Sequence, residues 1–451
     1  MDLDQYYGPP DLRFYPQGTS AASERPILRI FGVNDNGNSI TVHVHGFQPY
    51  FYVRAGTVDR QAIDSGAFAQ QLNTAVAQKS KGMGAGTTRC VEKVEWCMKQ
   101  TLMNYQAEKT VPFLKITMIA PHMVSAARNI FESSGQQTFE SNVVFPLRFM
   151  IDYDLSGGGW CAIREGKYKV REPFQKTTNC QLEIDVHHSQ VTAKDPNEGD
   201  WGRIAPLRIL SFDIECFAKK GFPVPEKDPV IQIASILTVQ GESAPLVRNV
   251  LTLGTCDPIA DAEVMAFQRE SDLLMAWSAL VQETDPDIIT GYNINNFDLP
   301  YVLDRASTLR LDSFARFTRV TNSNVRAKKT TFSSKAQGTR ESKEITCEGR
   351  VPFDLLQAIQ RDYKLSSYSL NSVSAEFLGD QKEDVHHAMI SVLQEGNEDS
   401  RRRLAVYCIK DALLPQQLMD KLMYMYNYIE MARVTGVPIG FLLGRGQMIK
   451  V

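Results

Sequence analysis

Apolar and polar positions alternate first in ILRIFGVNDNGNSITVHVHGFQPYFYV, where two such runs, around 27–33 and 39–53, flank DNGN. That pattern predicts a β-hairpin closed by an Asn/Gly turn. FLKITMIA and FPLRFMIDYDL read as further strands, so the first 200 or so residues look like a mixed region of short elements. RIAPLRILSFDIEC (203–216) opens a second unit, in which ILSF is a β-rich run that enters acidic residues. VIQIASILTV (230–239) supplies the next strand, after a loop with prolines at 223, 225 and 229. ESDLLMAWSALVQETDPD (270–287) has helical spacing and ends near Pro286, and IITGY follows as a strand. From about 351 to 432 the pattern is mostly helical, with a break or kink expected at Pro415.

Composition narrows the class without naming a chemistry. Hydrophobic residues make up 43% and charged residues 22% of 451, ordinary for a globular chain with room for about three domains. No stretch nears the ~20 apolar residues of a membrane span, and MDLDQYYGPP lacks a signal-peptide pattern. A net charge of -3 does not mark a nucleic-acid binder, so any basic footprint must be local. The 8 cysteines show no CxxC spacing and read as free thiols of a reducing compartment, cytosol or nucleus. His43 and His45 share one strand face with no third ligand nearby, which favours a structural role. SKGMGAGTTR (80–89) is glycine-rich but lacks GxGxxG spacing and reads as a loop.

Three acidic motifs carry the candidate chemistry. In FDIE, Asp213 and Glu215 fall on one face of a strand end while Phe212 and Ile214 face the core. Two neighbouring carboxylates repel unless a cation lies between them. GYNINNFDLPY (291–301) places Asp298 after a strand and a polar turn, where it either joins such a site or caps the next helix. YCIKD (407–411) puts Tyr407 and Asp411 four apart on one helix face, although Lys410 and Asp411 would also suit a solvated surface. Taken together the motifs supply four carboxylates, the number a pair of divalent ions ~3.5–4 Å apart needs for phosphodiester hydrolysis. Oxygen ligands suit two Mg²⁺ or Mn²⁺ ions, and Tyr407 is placed to hydrogen-bond an attacking water.

SFDIEC, TGYNINNFDLPY and YCIKDALLP resemble, in order and spacing, the three exonuclease motifs of family B DNA polymerases. DPVIQIAS, KLSSYSLNSVSAEFLGDQKEDV, EMARVTGVP and HGFQPYFYV extend the resemblance through essentially the whole chain. It implies an α/β architecture: an N-terminal mixed α+β domain (1–204), an RNase H-like 3′–5′ exonuclease domain (205–418) and a helical segment (419–451) leading towards a palm. It also implies that Asp213, Glu215 and Asp411 hold one metal ion, that Asp213 and Asp298 hold the other, and that Asn293 and Phe297 lie near the primer's terminal nucleotides. The palm motifs of the family do not occur in the sequence, so the chain is expected to be a piece that does not polymerise alone. For the full-length parent the resemblance implies DNA-directed DNA polymerase activity, accessory subunits, a sliding clamp and the nucleus, with no membrane association.

Between Arg319 and Arg350 there are eight basic residues (Arg319, Arg326, Lys328, Lys329, Lys335, Arg340, Lys343, Arg350) against three acids. TTF and EIT around SSKAQGTR predict a long exposed hairpin, either a plain solvated loop or a phosphate contact centred on Lys328 and Lys329. Arg401–Arg403 reads as a charged helix start rather than a targeting signal. The functional expectation is a proofreading 3′–5′ exonuclease acting on single-stranded 3′ ends of primer–template DNA. The alternatives are a non-catalytic nucleic-acid-binding scaffold and an RNA-trimming exonuclease of the same fold.

Overall fold

The computed structural model describes residues 2–8, 25–56, 65–79, 89–101, 109–219, 221–334, 338–379 and 387–444. The glycine-rich stretch 80–88, the hairpin tip 335–337 and the end RGQMIKV from residue 445 onwards therefore lie outside the described residues, as do the side chains of Lys335 and Arg340.

In the N-terminal region Arg25–Val33 pairs antiparallel with Ser39–His45 around the Asn34–Asn38 turn, as the DNGN signal requires. The second run is split: Ser39–His45 is the central strand of one sheet, and Tyr50–Arg54 joins another beside Val111–Met118. FPLRFMID is an α-helix, Phe145–Asp152, where strand was expected. Pro146 suits a first helical turn, and Phe145, Arg148 and Phe149 then bury on one side; in so short an apolar run the two periods cannot be told apart. His43 and His45 are buried and bond Glu183 and Asp185 at 2.7 Å, with Arg171 closing the cluster, which is the structural role expected of them. All eight cysteines are free thiols.

The second unit is built on a mixed six-stranded sheet. Its strands are β1 (Arg208–Cys216), β2 (Val230–Val239), β3 (Val247–Leu253), β4 (Glu263–Phe267), β5 (Ile288–Gly291) and, after a two-stranded hairpin β6 (Arg326–Ser334) and β7 (Gly338–Thr346), β8 (Val351–Asp354). The order is β4-β3-β2-β1-β5-β8, with β1, β2 and β3 antiparallel and the outer pairings parallel. Helices α1 (Glu270–Thr284) and α2 (Asp298–Thr308) bury Leu273, Trp277 and Val302 against Leu210, Phe212 and Ile214 of β1. After α3 (Leu355–Asp362), α4 (Leu370–Leu378) and α5 (His387–Glu395), helix α6 (Glu398–Lys421) covers the opposite face. Ala405, Cys408, Ile409 and Ala412 there meet Ala234, Ile236 and Val250, and the alanines on both sides let helix and sheet approach closely. This is the helix-flanked mixed sheet of an RNase H-like fold.

Alternation along β1 decides what each layer receives. Leu210, Phe212 and Ile214 enter the apolar core, so Ser211, Asp213 and Glu215 turn towards α6. Helix α6 continues unbroken through Pro415 rather than ending there. Pro415 has no N–H to give to the carbonyl four residues back, and the packing of α6 along its whole length keeps the helix intact.

Two of the eight basic residues belong to the frame rather than to a DNA-facing hairpin. Arg319 and Arg350 are each 2% exposed and converge on Asp285, the left-handed residue (φ 47°) that ends α1. Arg319 also bonds Asp287 at 2.7 Å, whose other oxygen accepts the Arg208 amide at the start of β1. Removing one partner of a buried ion pair strands the other charge, at a cost of ~3–5 kcal/mol. Arg350→Ala is accordingly predicted to lower the denaturation midpoint strongly. An unchanged midpoint with weakened DNA binding would return Arg350 to the surface role.

Candidate active site

Three segments remote in sequence meet at the end of β1. Pairing of β1 with β2 slips between Glu215 and Cys216, a bulge that ends the ladder where the acids sit. Glu215 is buried and Asp213 half-buried. Beside them, β5 ends at Gly291, where a Cβ would stand 2.5 Å from Ile294 and 2.6 Å from the Phe212 carbonyl, so only glycine lets the loop turn against β1. That loop, residues 292–297, includes Asn293 in the left-handed region (φ 67°) and delivers Asp298 as the first residue of α2.

Asp298 is 2% exposed, and its Oδ1 accepts the Ile214 amide at 3.3 Å, from the residue between Asp213 and Glu215. From the opposite side, α6 is tied to β1 by the Ser211 hydroxyl, which donates to the Ala412 carbonyl at 2.6 Å. The Cys408 thiol adds a second tie, 3.5 Å from the Asp213 carbonyl and 3.8 Å from its Oδ2. Carboxylate oxygens of Asp213 and Glu215 and the Cys408 sulfur lie within 4.8 Å of one another, a spacing that suits a metal ion. Asp411 is 8% exposed, so the solvated alternative does not apply to it. Tyr407, one turn earlier, packs with Leu393 and Leu404.

The electrostatics follow from burial. Desolvation pushes the Asp298 carboxyl up to about 8; backbone N–H groups pull it back, and the charges of Asp354 and Asp411 add to the rise. Burial likewise drives the Cys408 thiol well up, with Asp213, Glu215 and Asp411 contributing. Acids held this close and this dry fit divalent cations, whose charge would relieve the repulsion.

Further residues frame the acids. Phe297 meets Phe222 edge-on at 5.3 Å and Tyr301 at 5.5 Å, and Phe222 stands 74% exposed in the proline-bearing loop after β1. Asn293 donates its amide to Asp354 and accepts from Asn296 through its side chain. Lys328 and Lys329 are exposed on β6, opposite Glu344 and Lys343. The base of the hairpin packs Val325 and Ile345 into the core, and the Lys343 amide donates to Asn296 Oδ1 at 3.3 Å. Cys408, Asp354 and Phe222 also stand at the site, though none of them is among the residues the motifs single out. Phe222 had a signal, an aromatic between Gly221 and Pro223 beside an acidic strand end; Cys408 had none beyond its motif.

Comparison with known proteins places this arrangement. Residues 136–373 match the family model "DNA polymerase family B, exonuclease domain", and the chain belongs to the family B DNA polymerases. Within that family it is similar to the catalytic subunits of DNA polymerase delta, and residues 46–125 match the N-terminal domain of delta catalytic subunit-like proteins. The rice subunit is 51% identical over 100% of the chain and 41% of its own length. The fission yeast subunit is 50% identical over 94% and 39%, and the bovine one 46% identical over 100% and 41%. The chain thus spans about two fifths of the length of these curated relatives. The family B DNA polymerase of Pyrobaculum calidifontis, at 21% identity, shares the fold with a TM-score of 0.67 over 98% of this chain and 48% of that one. The matched exonuclease domain is a metal-dependent nuclease domain. No helix among the described residues is long and apolar enough to cross a membrane.

A group whose pKa is raised on folding binds a proton that the unfolded chain has lost, so its contribution to stability falls as pH rises. For Asp298 that window runs from the ordinary 3.8 to about 8. Without divalent ions this one group is predicted to remove on the order of 1 kcal/mol of stability per pH unit between pH 5 and 8. Asp298→Asn should flatten the profile. Denaturation midpoints across that range in EDTA test this, and a profile identical in the two proteins would contradict it.

Proposed function

We propose that the chain is the proofreading region of a replicative DNA polymerase, hydrolysing mismatched nucleotides from a single-stranded 3′ end. The observation that supports it most is the bond from the Ile214 amide to Asp298, which sets the second motif's acid against the first motif's strand. In this reading Asp213, Glu215 and Asp411 would hold one ion, and Asp213 and Asp298 the other, both Mg²⁺ or Mn²⁺. When bound, two such ions would supply an activated water and a stabilised leaving oxygen. Tyr407 orients the water, whose oxygen attacks the terminal phosphorus. The P–O3′ bond breaks, the penultimate nucleotide keeps its 3′-hydroxyl and a nucleoside 5′-monophosphate leaves.

The surrounding residues receive the strand. Phe297 and the exposed Phe222 offer faces for unpaired terminal bases, at ~1–3 kcal/mol per stacked base, and Asn293 lies beside them. Lys328 and Lys329 on the hairpin contact phosphate and help part the primer end from its template. DNA-directed DNA polymerase activity, accessory subunits, a sliding clamp and a place in the nucleus belong to the longer parent protein in this reading.

Mononucleotide release from 3′-labelled single-stranded DNA with Mg²⁺ tests the assignment. Asp298→Ala is predicted to lower it by more than about 10²-fold, because loss of a ligand should exceed the 10–100-fold cost of losing a residue that only orients one. Binding without turnover by the unaltered chain would favour a scaffold, and faster release from RNA would overturn the DNA assignment. Charge reversal at Lys328 and Lys329 is predicted to weaken DNA binding and to flatten its salt dependence by ~0.7 in log–log slope per lost contact. An unchanged slope would place the hairpin away from phosphate.

A further inference from the structure

One buried acid beside the site has no place in the hydrolytic scheme. Asp354 ends β8, next to the end of β5, where it is the Cα partner of Gly291. It is 2% exposed, and its carboxylate accepts three backbone amides at 3.0 Å: Asn293 and Leu356 on Oδ1, and Asn295 on Oδ2. The Leu356 bond caps α3, an ordinary duty for an aspartate. The other two reach across to the loop between β5 and Asp298 and grip it at alternate residues. Asn295 adds a side-chain bond to Gln357 at 3.4 Å, and the Tyr292 hydroxyl donates to the Tyr368 carbonyl. The bonds continue outward, since Asn296 donates to the Asn293 side chain at 3.2 Å and accepts the Lys343 amide of the hairpin at 3.3 Å.

A carboxylate is suited to this duty, since its two oxygens accept from several donors at once. Bonds from amides to a charged acceptor are about twice as strong as neutral ones. Asn293 also sits in a left-handed conformation that needs holding. We propose that Asp354 is a positioning residue for the exonuclease: it anchors the 292–297 loop, and through that loop sets Asn293, Phe297 and the start of the Asp298 helix, with the hairpin tied to the same anchor through Asn296. The inference rests on the hydrolytic reading above, and it adds a residue that touches neither metal nor substrate.

Helix capping and loop anchoring separate in Asp354→Ser. A serine hydroxyl can still cap α3 through Leu356, because serine and aspartate are comparable caps. It is too short and has too few lone pairs to hold Asn293 and Asn295 as well. With 3′-labelled single-stranded DNA and Mg²⁺, Asp354→Ser should lose about 10²-fold in kcat, the scale of a ~1 Å misplacement. The KM should move less than about threefold. A 3′-terminal 2-aminopurine oligonucleotide bound in EDTA should show weaker stacking than with the wild type. Ile359→Val, a core change in the same helix, serves as a stability control. If Asp354→Ser keeps its kcat, or loses no more than Ile359→Val at equal denaturation midpoint, the anchor is refuted. If the wild type releases no nucleotide, the hydrolytic reading fails, and the 2-aminopurine signal alone then decides the anchor: unchanged stacking refutes it, weakened stacking supports it.

Discussion

Carboxylates that share one desolvated pocket push one another apart, and the second unit of this protein is organised around resisting that push. Asp298 and Glu215 are nearly out of water, Asp411 hardly less so; burial raises the Asp298 carboxyl, and the charges of Asp354 and Asp411 add to the rise. Short ties counter it: the Ser211 hydroxyl on the Ala412 carbonyl, the Cys408 thiol on Asp213, and the Ile214 amide on Asp298. Two of them join α6 to β1 and the third joins the start of α2, so that strand is the common reference of the site. A divalent cation would remove the remaining repulsion, which is why binding and stability should be linked here.

The same strand must also belong to the core. Its alternate residues meet Trp277, Phe314 and Phe317 on one side and the small residues of α6 on the other. The bulge after Glu215 ends the ladder where function takes over from folding. Behind it, the buried cluster of Arg319, Arg350, Asp285 and Asp287 fixes the start of β1 and the end of α1, so the acidic end can be strained while the other is held. Local strain kept in place by an over-determined surround is the usual economy of functional sites.

Much of this was legible along the chain. Period-two alternation assigned Asp213 and Glu215 to one face and Phe212 and Ile214 to the other, and the DNGN turn and the TTF/EIT hairpin announced themselves by local chemistry. Where the signal was short it misled. FPLRFMID fits either period, and only the surface it buries selected a helix. Pro415 breaks helices by default, yet α6 is held along its length by packing that no local rule contains. Arg319 and Arg350 looked like their exposed neighbours because charge along a sequence does not say which cations find buried partners.

What the sequence determined by itself was the list of groups and their local faces: four acids in three motifs, and the hairpin with its two exposed lysines. Only the tertiary structure decided that Asp354 grips the second motif's loop, that Phe222 reaches Phe297, and that Cys408 lies against Asp213. The physical reason is that these contacts join residues tens to hundreds apart, through hydrogen bonds and ring contacts that exist once the sheet order β4-β3-β2-β1-β5-β8 sets the segments side by side. Periodicity along a chain carries no record of which strand will become its neighbour.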